Sequence, residues 1–542
     1  MKSTVVGHQQ IYYVVVGAIV LVAAGLRFYG LQESGVIFMD DLRAYVGPQI
    51  VEVLSTSNEP FSKRIVDIYR ISVEGTGARP ALAWLVALPS LFGLTTIGEL
   101  YFVFALCGVL NIFLVWLLCK NSFDMVCATF AALWLSLSAA HVSFSRSALP
   151  ATPAMTVILL GLIVMFKKQF EIGIISKPHL LLMGACFAIA MAFHPAYVVY
   201  ILVPLIFVIG NVARTVSGFA EYCRELMVRC ILLGAPSAIL IIGYDAPYAI
   251  ARLSGGQFEP ADLVYLKGLY RLFTSPTIYS SDLHEGFLFL PKYVLAAEGA
   301  LGFGILCFAM LTFAVRLASR ERERTQLHLS LFVWIVVPYL VFALWPQLNS
   351  YGRLYAPTLP ALAVLVGIGL SSIGNEISRF IPVAWGYVFV GFILAGSGIY
   401  AAVPLLTTSG KEPELRGYLE RNKVKEVIAF YRTDARALGH LKIHMVFDRG
   451  DVNRVLCERK TTMFLLSPAP MHLILRHSRF LFDELQLRPV FTYTNPYRIP
   501  LRLMEGYPSK DRKRVLKDPE FAELGLFTIG LPDVCRSPTQ LR

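Results

Sequence analysis

Two adjacent carboxylates, Asp40 and Asp41, stand directly after the first apolar stretch of the chain and are its strongest candidates for chemistry. If the run from Ile11 to Leu26 crosses a bilayer, the pair lies at the membrane surface at the start of a long polar loop. Carboxylates are costly to desolvate there, and nearby charges perturb them, which suits acid–base chemistry at a lipid interface. A simpler alternative is that they are solvated loop acids, or partners of Arg43.

Two isolated arginines form the next signal. Arg146 lies between the third and fourth apolar runs and Arg353 between the ninth and tenth, each as the lone Lys or Arg of a very short connection. A guanidinium group fits a phosphate well and stays charged at a membrane surface. Either side chain could instead anchor the chain to lipid headgroups. For Arg146 a third reading stays open, in which it ties down the first long loop.

His194 stands at the end of another apolar run, between Phe193 and Pro195. Such a histidine either makes a structural hydrogen bond beside the proline or contacts a ligand such as a sugar. One histidine with scattered acids does not make a metal site.

The order of these residues resembles a known family. An acidic pair followed by Tyr45, after the first of about eleven apolar runs, is similar to the polyprenyl-phosphate-sugar-dependent glycosyltransferases of the GT-C fold. The likeness is to the branch that contains protein O-mannosyltransferases and the lipid A aminoarabinose transferase. It covers roughly residues 1–405.

Three later stretches add to the resemblance. Residues 77–84 are similar to the family's His-Pro-Pro-Leu start of an interfacial helix. Residues 145–150 look like its Ala-Arg-x-x-x-Pro-Asp segment, and residues 353–360 resemble its late Arg-Tyr…Pro…Pro stretch. Two positions depart from the family pattern: Arg79 stands in place of the histidine, and Ala151 stands in place of the second acid.

The resemblance implies a membrane glycosyltransferase that moves a sugar from a polyprenyl-phosphate donor to a hydroxyl group of a glycan, lipid or protein acceptor. It implies one direct displacement with inversion at the anomeric carbon. Asp40 would act as the base, and Asp41 would orient the acceptor or balance charge. Arg353 would bind the donor phosphate. The predicted substrate-binding residues are Tyr45, Arg79, Arg146, His194, Arg353 and Tyr355. No residues match a metal-ligand set, so we predict no certain cofactor and leave a divalent cation open.

Composition predicts how these residues are held. The chain has 542 residues, of which 56% are hydrophobic and 16% charged, with a mean hydropathy of +0.59. Soluble domains carry roughly 25% charged residues, so we predict a polytopic α-helical membrane protein of GT-C type. Several of the eleven apolar runs are shorter than the ~20 residues that cross a bilayer squarely. Residues 81–92 are too short to span, and we predict an interfacial helix there.

Positive residues cluster after alternate apolar runs, as in the group from Arg316 to Arg324. By the positive-inside rule these clusters face the cytoplasm. The N-terminus is then cytoplasmic, while the outer loop of residues 28–99 and the tail lie outside. We expect a bacterial inner (plasma) membrane. The net charge of +12 reflects topology and the tail, so it does not indicate nucleic acid.

The tail has a different composition. We divide the chain into a transmembrane domain of residues 1–405 and a soluble extracytoplasmic domain of residues 406–542. Short strand-like and helix-like runs alternate in the tail, which predicts an α/β fold with a partly parallel sheet. The predicted strands are Val424–Tyr431, Met445–Asp448, Met463–Ser467, Val490–Thr494 and Leu526–Leu531, and the predicted helices are Asp434–Leu441 and His472–Leu485. Its two cysteines, Cys457 and Cys535, are either disulfide-bonded, as we expect of an oxidising compartment, or two buried free thiols.

Two other functions compete with the transferase. A transporter or flippase for a lipid-linked or sugar substrate would need intramembrane charges and paired broken helices. Glu298 is the one acid that we place well inside a span, and we find no inverted hydropathy repeat. A non-catalytic scaffold would leave the outer acids and arginines without a role.

Overall fold

The computed structural model of the chain is mainly helical. It describes residues 2–31, 44, 46–55, 60–76, 79–169, 175–254, 265–266, 270, 274, 282–318, 322–346, 349, 351–377, 383–406, 412–429, 442–445, 454–458, 464–466, 488–494, 504 and 523–528. The candidates Asp40, Asp41 and Tyr45 lie outside these residues. Leu31 and Ala44 lie on either side of the acidic pair in the chain, and both are buried in the main hydrophobic core.

The N-terminal part of the structure is a long helix followed by several shorter ones. We call the end of the helical bundle at which the first helix stops the outer face. The helices are α1 (Lys2–Phe28), α2 (Val46–Ser55), α3 (Phe61–Thr76), α4 (Pro80–Leu91) and the single turn α5 (Ile97–Leu100). Helix α4 occupies the stretch for which the sequence predicts a short interfacial helix, and α2 and α3 pack against it.

The central helices alternate across the bundle. They are α6 (Phe102–Ser122), α7 (Met125–Leu137), α8 (Ala139–Ser145), α9 (Ala151–Gln169), α10 (Lys177–Phe193), α11 (Leu202–Thr215) and α12 (Phe219–Ser254). A 3₁₀ turn, Pro195–Ile201, joins α10 to α11. Capping side chains fix where some of these helices begin. The carboxylate of Asp124 accepts a hydrogen bond from the backbone N–H of Cys127 at 2.7 Å and so caps the start of α7.

The last membrane helices follow. They are α13 (Leu283–Ala318), α14 (Arg322–Leu344), the short α15 (Gly352–Tyr355), α16 (Leu359–Ile377) and α17 (Val383–Leu406). A 3₁₀ turn, Ala356–Thr358, continues α15 into α16. The segment Gly352–Gly374 lies at the centre of the bundle, with 89% of its most apolar 18-residue stretch buried, whereas Phe219–Ala246 lies at the edge, with 11%. Helices α7 and α16 approach closely at Gly367, because this residue has no side chain. A Cβ there would collide with the Cys127 carbonyl oxygen.

Within the described residues, eight helices are long and apolar enough to cross a membrane, or nine if α7 and α8 form one bent span. Two further apolar helices, Ala151–Lys167 and Lys177–Phe193, are shorter. Counting both would give the eleven spans predicted from the sequence. That number stays a prediction, whereas the polytopic helical architecture is confirmed.

The tail begins with helix α18 (Glu412–Arg421) and continues into a five-stranded sheet of order β2-β1-β3-β5-β4. Strand β1 pairs in parallel with β2 and β3, and β5 pairs antiparallel with β3 and β4. Each predicted strand overlaps an observed one, but the predicted helices 434–441 and 472–485 lie outside the described residues. The strands are β1 (Glu426–Ala429), β2 (Lys442–Met445), β3 (Phe464–Leu466), β4 (Arg488–Thr494) and β5 (Glu523–Thr528).

Cys457 is disulfide-bonded, as we expected of an oxidised tail. The predicted partner, Cys535, lies outside the described residues. Free thiols among the described residues are Cys107, Cys119, Cys127, Cys186, Cys223, Cys230 and Cys307.

Candidate active site

Arg353 lies in the short helix α15 and is buried, with 2% of its surface exposed. Its guanidinium carbon lies 4.4 Å from the centroid of the Tyr351 ring, which is a cation–π contact. The hydroxyl of Tyr197 donates to the Arg353 carbonyl oxygen at 3.0 Å, and that of Tyr200 donates to the Leu354 carbonyl oxygen at 2.8 Å. The backbone of α15 is therefore fixed from the neighbouring turn, and the arginine is presented by a rigid element.

His194 lies beside this arginine. It is the N-cap residue of the 3₁₀ turn, and its Nδ1 accepts a hydrogen bond from the backbone N–H of Ala196 at 3.2 Å. Its ring lies 5.5 Å from the ring of Tyr197 and 6.5 Å from that of Tyr351. The structure thus brings together two of the predicted site residues, His194 and Arg353, with Tyr351 between them. We call these three residues, with Tyr197, the arginine–histidine cluster.

Tyr355 has a different setting from that of Arg353, although only two positions separate them. Its hydroxyl donates to the carbonyl oxygen of Asn349 at 3.3 Å, and its ring packs against Phe289 and Phe342. The side chain of Asn349 in turn donates to the carbonyl oxygen of Asp282 at 3.1 Å. Tyr355 therefore holds the connection before α15 against the start of α13.

Arg79 occupies the N-cap position of α4, directly before Pro80. Its backbone N–H donates to the hydroxyl of Thr76 at 3.0 Å, which ties the end of α3 to the start of α4. The side chain is 8% exposed, and its Nε and Nη1 atoms have no hydrogen-bond partner among the described residues. A buried cation with open N–H groups at a helix N-terminus has the properties of an anion-binding site.

The guanidinium of Arg146 binds backbone carbonyl oxygens. The residue follows α8 and is 1% exposed. Its Nη1 donates to the carbonyl oxygens of Leu26 at 3.1 Å, Arg27 at 3.2 Å and Tyr29 at 2.7 Å. These carbonyls belong to the end of α1, where a cation also interacts favourably with the helix dipole. This geometry matches the alternative in which Arg146 ties down the start of the first long loop.

A second buried group at the outer face is the carboxylate of Asp245, near the end of α12, which is 2% exposed. Its Oδ1 accepts hydrogen bonds from the hydroxyl of Tyr69 in α3 at 2.5 Å and from the backbone N–H of Tyr265 at 3.3 Å. Its Oδ2 accepts from the backbone N–H of Leu266 at 3.1 Å. We call Asp245 with Tyr69 and Tyr265 the outer clamp, because it joins α3, α12 and the connection before α13.

The outer clamp contacts the chain close to His194 and, through α3, close to Arg79. The hydroxyl of Tyr265 donates to the carbonyl oxygen of Met191, three residues before His194. Burial raises the pKa of Tyr265, with Tyr244 and Asp245 adding to the effect, so this hydroxyl stays a proton donor at neutral pH. On the other side, α3 leads through Thr76 to Arg79.

The sequence did not single out the outer clamp or Tyr351. Tyr351 could have been noticed, since it stands two residues before Arg353. Asp245 gives no such signal, because its partners are remote in the chain. Among the described residues, no group of three or more His, Cys, Asp or Glu side chains could hold a metal ion.

Comparison with known proteins agrees with this architecture. Residues 78–239 match the family described as dolichyl-phosphate-mannose-protein mannosyltransferase. A search of curated protein sequences found no significant match.

Solved structures share the fold across most of the chain. ArnT from Cupriavidus metallidurans bound to undecaprenyl phosphate is 14% identical, with a TM-score of 0.56 over 87% of this chain and 94% of that one. Its apo form is 13% identical, with a TM-score of 0.56 over 99% and 100% of the two chains. The archaeal oligosaccharyltransferase AglB from Archaeoglobus fulgidus, in complex with an inhibitory peptide and a dolichol-phosphate, is 13% identical. Its TM-score is 0.51 over 86% of this chain and 70% of that one.

The chain therefore has the GT-C fold of membrane glycosyltransferases, as its motifs led us to expect. The matched family segment and the shared fold together support a membrane glycosyltransferase that uses a lipid-linked donor.

Proposed function

We propose that this protein transfers a sugar from a polyprenyl-phosphate donor to a hydroxyl group of an extracytoplasmic glycan, lipid or protein, with inversion of the anomeric centre. The observation that carries the proposal is the buried guanidinium of Arg79, two of whose nitrogens have no hydrogen-bond partner among the described residues. Leaving a buried cation unsatisfied is costly, so the site calls for an anion. The 12-residue helix α4 adds its positive N-terminal end at the same place.

The phosphate of a lipid-linked donor supplies such an anion at a membrane surface. Two of the similar structures contain a polyprenyl-type phosphate, undecaprenyl phosphate in ArnT and dolichol-phosphate in AglB, which supports this class of donor. In our proposal, Arg353 also binds the donor phosphate and stabilises the charge that grows on it as the sugar leaves. His194, in the same cluster, contacts the sugar.

Asp40 is the proposed base. The support is its place in the sequence, as the first acid of the pair that follows the first apolar run. Its carboxylate takes the proton of the acceptor hydroxyl while the hydroxyl oxygen attacks the anomeric carbon. The bond to the donor phosphate breaks, and the phosphate leaves with the electron pair. Asp41 orients the acceptor, and Tyr45 binds substrate nearby.

The reaction is tested with purified protein in lipid nanodiscs and polyprenyl-phosphate donors that carry mannose or aminoarabinose. Asp40→Asn keeps the side-chain shape and removes its basicity, so transfer should fall on the order of 100-fold or more. Donor binding should stay near that of the unsubstituted protein. Asp41→Asn is the matched control and should lose less. Near-normal transfer by Asp40→Asn would contradict its role as base. The same conclusion would follow if Asp41→Asn lost transfer while Asp40→Asn kept it.

We further propose a bacterial inner-membrane location with the N-terminus in the cytoplasm and the tail outside. The support is the alternation of positive charge between successive connections. A topology reporter fused after Arg324 should read cytoplasmic, and one fused after Lys411 should read external. If both fusions report the same side, the proposed site cannot form on one face of the membrane.

Transport stays the second candidate because of one observation, the bent pair of helices α7 and α8 with a buried charge beside it. Transporters use such discontinuous helices at their substrate sites. A vesicle assay separates the two functions. A transporter would move a labelled polyprenyl-phosphate sugar across the bilayer without forming product, and a transferase would form product from donor supplied on the outer side alone.

A further inference from the structure

The bent pair of α7 and α8 is broken at Ser138, and the two halves meet at an angle of 61°. In an unbroken helix, the N–H group of Ala139 would donate to the carbonyl oxygen of Leu135. Likewise, the N–H group of Ala140 would donate to the carbonyl oxygen of Ser136. The break leaves these four backbone groups without their helical partners, in a buried region where unsatisfied polar groups are costly. The N–H group of His141 and the carbonyl oxygen of Leu137 lose each other in the same way, and the N–H group donates to the hydroxyl of Ser138 instead.

Arg27 of α1 satisfies the two carbonyl oxygens. Its Nη1 donates to Ser136 at 3.0 Å and its Nη2 donates to Leu135 at 3.3 Å. The guanidinium is fully buried, and Nη2 also lies 2.6 Å from Nδ1 of His141. A cation at the end of α7 is favourable because the carbonyl end of a helix carries partial negative charge.

Glu298 of α13 faces the two N–H groups. Its carboxylate accepts a hydrogen bond from the hydroxyl of Ser138 at 2.6 Å and interacts electrostatically with the backbone N–H groups of Ala139 and Ala140. It is 5% exposed and lies at the start of α8, where the helix dipole favours an anion. An arginine thus binds the carbonyl oxygens on one side of the break, and a glutamate faces the N–H groups on the other.

The helix that carries Glu298 is broken at the same place. Gly299 has φ of 69° and ψ of 178°, a conformation that residues with a Cβ rarely adopt. The kink in α13 therefore faces the break between α7 and α8, with the carboxylate between them.

Contacts from two arginines join the end of α8 and the end of α7 to the end of α1. Arg146 follows α8 directly and holds the last carbonyls of α1, while Arg27 of α1 holds the last carbonyls of α7. Gly108 of α6 lets these groups come together, because a Cβ there would collide with Ser145 and lie 3.0 Å from Nε of Arg27. The angle at Ser138 and the position of the end of α1 are coupled through these contacts.

We propose that Arg27 and Glu298 are positioning residues for sugar transfer. They set the angle of α8, so that Arg146 fixes the end of α1, from which the chain continues to Asp40. This inference rests on the proposed function for its activity readout. The inference goes beyond that function because it assigns an effect on kcat to residues remote from the reacting atoms.

Glu298 substitutions test the proposal in the purified, full-length protein. Glu298→Leu removes the acceptor and should lower kcat by about 10- to 100-fold, the range expected when a group is misplaced by about 1 Å. The KM for the donor should change less than about 2-fold, because Arg79 and Arg353 are untouched. Glu298→Gln keeps an oxygen that can accept from the Ser138 hydroxyl, so it should recover most of kcat. A KM increase as large as the kcat loss, or no recovery in Glu298→Gln, would overturn the proposal.

Serine substitutions provide a second test of the proposal if Glu298→Leu does not fold. Ser138→Ala removes the hydroxyl bonded to Glu298 and should lower kcat at constant donor KM. Ser136→Ala is the matched control: its hydroxyl donates only within α7, to Leu133 at 2.7 Å, and its loss should leave kcat near normal. Equal kcat values in the two folded variants would refute the positioning role. If the unsubstituted protein transfers none of the donors offered, the proposed function fails instead.

Discussion

The connection after α8 and the connection before α15 present the same signal in the sequence and different arrangements in the structure. Each carries one arginine between two apolar runs. Arg146 donates to three carbonyl oxygens at the end of α1, whereas the guanidinium of Arg353 lies on the Tyr351 ring beside His194. A lone cation in a short connection therefore predicts a buried arginine but not the group that it binds.

The difference follows from what each arginine can reach. The end of α1 offers Arg146 several carbonyl oxygens without helical partners, and a guanidinium can satisfy more than one of them at once. Two carbonyl oxygens of α15, those of Arg353 and Leu354, instead accept from Tyr197 and Tyr200, and the guanidinium of Arg353 lies on the ring of Tyr351. We therefore expect Arg353 to act on substrate and Arg146 to act on the fold.

The largest effect on donor binding should come from Arg353→Ala. Losing a charge-assisted hydrogen bond costs about 1.5–3 kcal/mol, so donor affinity should fall by about 10- to 100-fold while the acceptor KM changes little. Arg353→Lys should recover part of it, since an ammonium group cannot form a bidentate pair. Lys292→Ala, which removes an exposed cation paired with Glu285, is the control in titrations with polyprenyl phosphate. Unchanged affinity in Arg353→Ala would rule out the assigned role.

Arg146→Ala should show the opposite pattern. Leaving the carbonyls at the end of α1 without their donor should lower the free energy of unfolding by about 1–3 kcal/mol, whereas the folded fraction should keep its donor affinity. Thermal unfolding in detergent and polyprenyl-phosphate titration on the same sample measure both quantities. If affinity falls as in Arg353→Ala and stability does not, Arg146 belongs to the substrate-binding set after all.

A smaller effect is expected at Tyr351. Tyr351→Leu removes the buried cation–π contact with Arg353, which is worth about 0.5–2 kcal/mol depending on desolvation, and should weaken donor binding about 2- to 30-fold. Tyr351→Phe keeps the ring and should bind donor normally. The same titration measures both variants, and equal losses in both would point to the hydroxyl group instead of the ring.

The smallest effect should come from Tyr355→Phe. The hydroxyl of Tyr355 donates to the Asn349 carbonyl oxygen at 3.3 Å, a long hydrogen bond, and the ring stays buried without it. Donor affinity should change less than about 2-fold, within the modest net value of one neutral hydrogen bond. A loss comparable to that of Arg353→Ala would return Tyr355 to the donor site.

The membrane architecture was predictable because it follows from composition. Apolar runs predict helices wherever no water can satisfy the backbone, and the short helix predicted over residues 81–92 appears as α4 over Pro80–Leu91. The family resemblance added the fold and the class of reaction. It drew on short motifs that keep their order along the chain.

The parts that escaped prediction depend on contacts between distant residues. The break at Ser138 has no proline or glycine to mark it, and it is stable because Arg27 and Glu298 reach it from two other helices. Glu298 was visible as an acid inside a span, but its partners were not. The outer clamp is similar, since Tyr69 and Asp245 stand in separate regions of the sequence.

The outer clamp has a consequence for how the protein is made. The hydroxyl of Tyr69 and the carboxylate of Asp245 are 176 residues apart in the chain, so at about 5–20 residues per second the ribosome delivers the second partner about 10 to 35 s after the first. During that interval α3 has already emerged, without the carboxylate that fixes it. A chaperone or protease that samples nascent chains would meet it then. Asp245→Asn, which weakens the final bond, should prolong this exposure after residue 245 is made and so increase degradation of newly made chains.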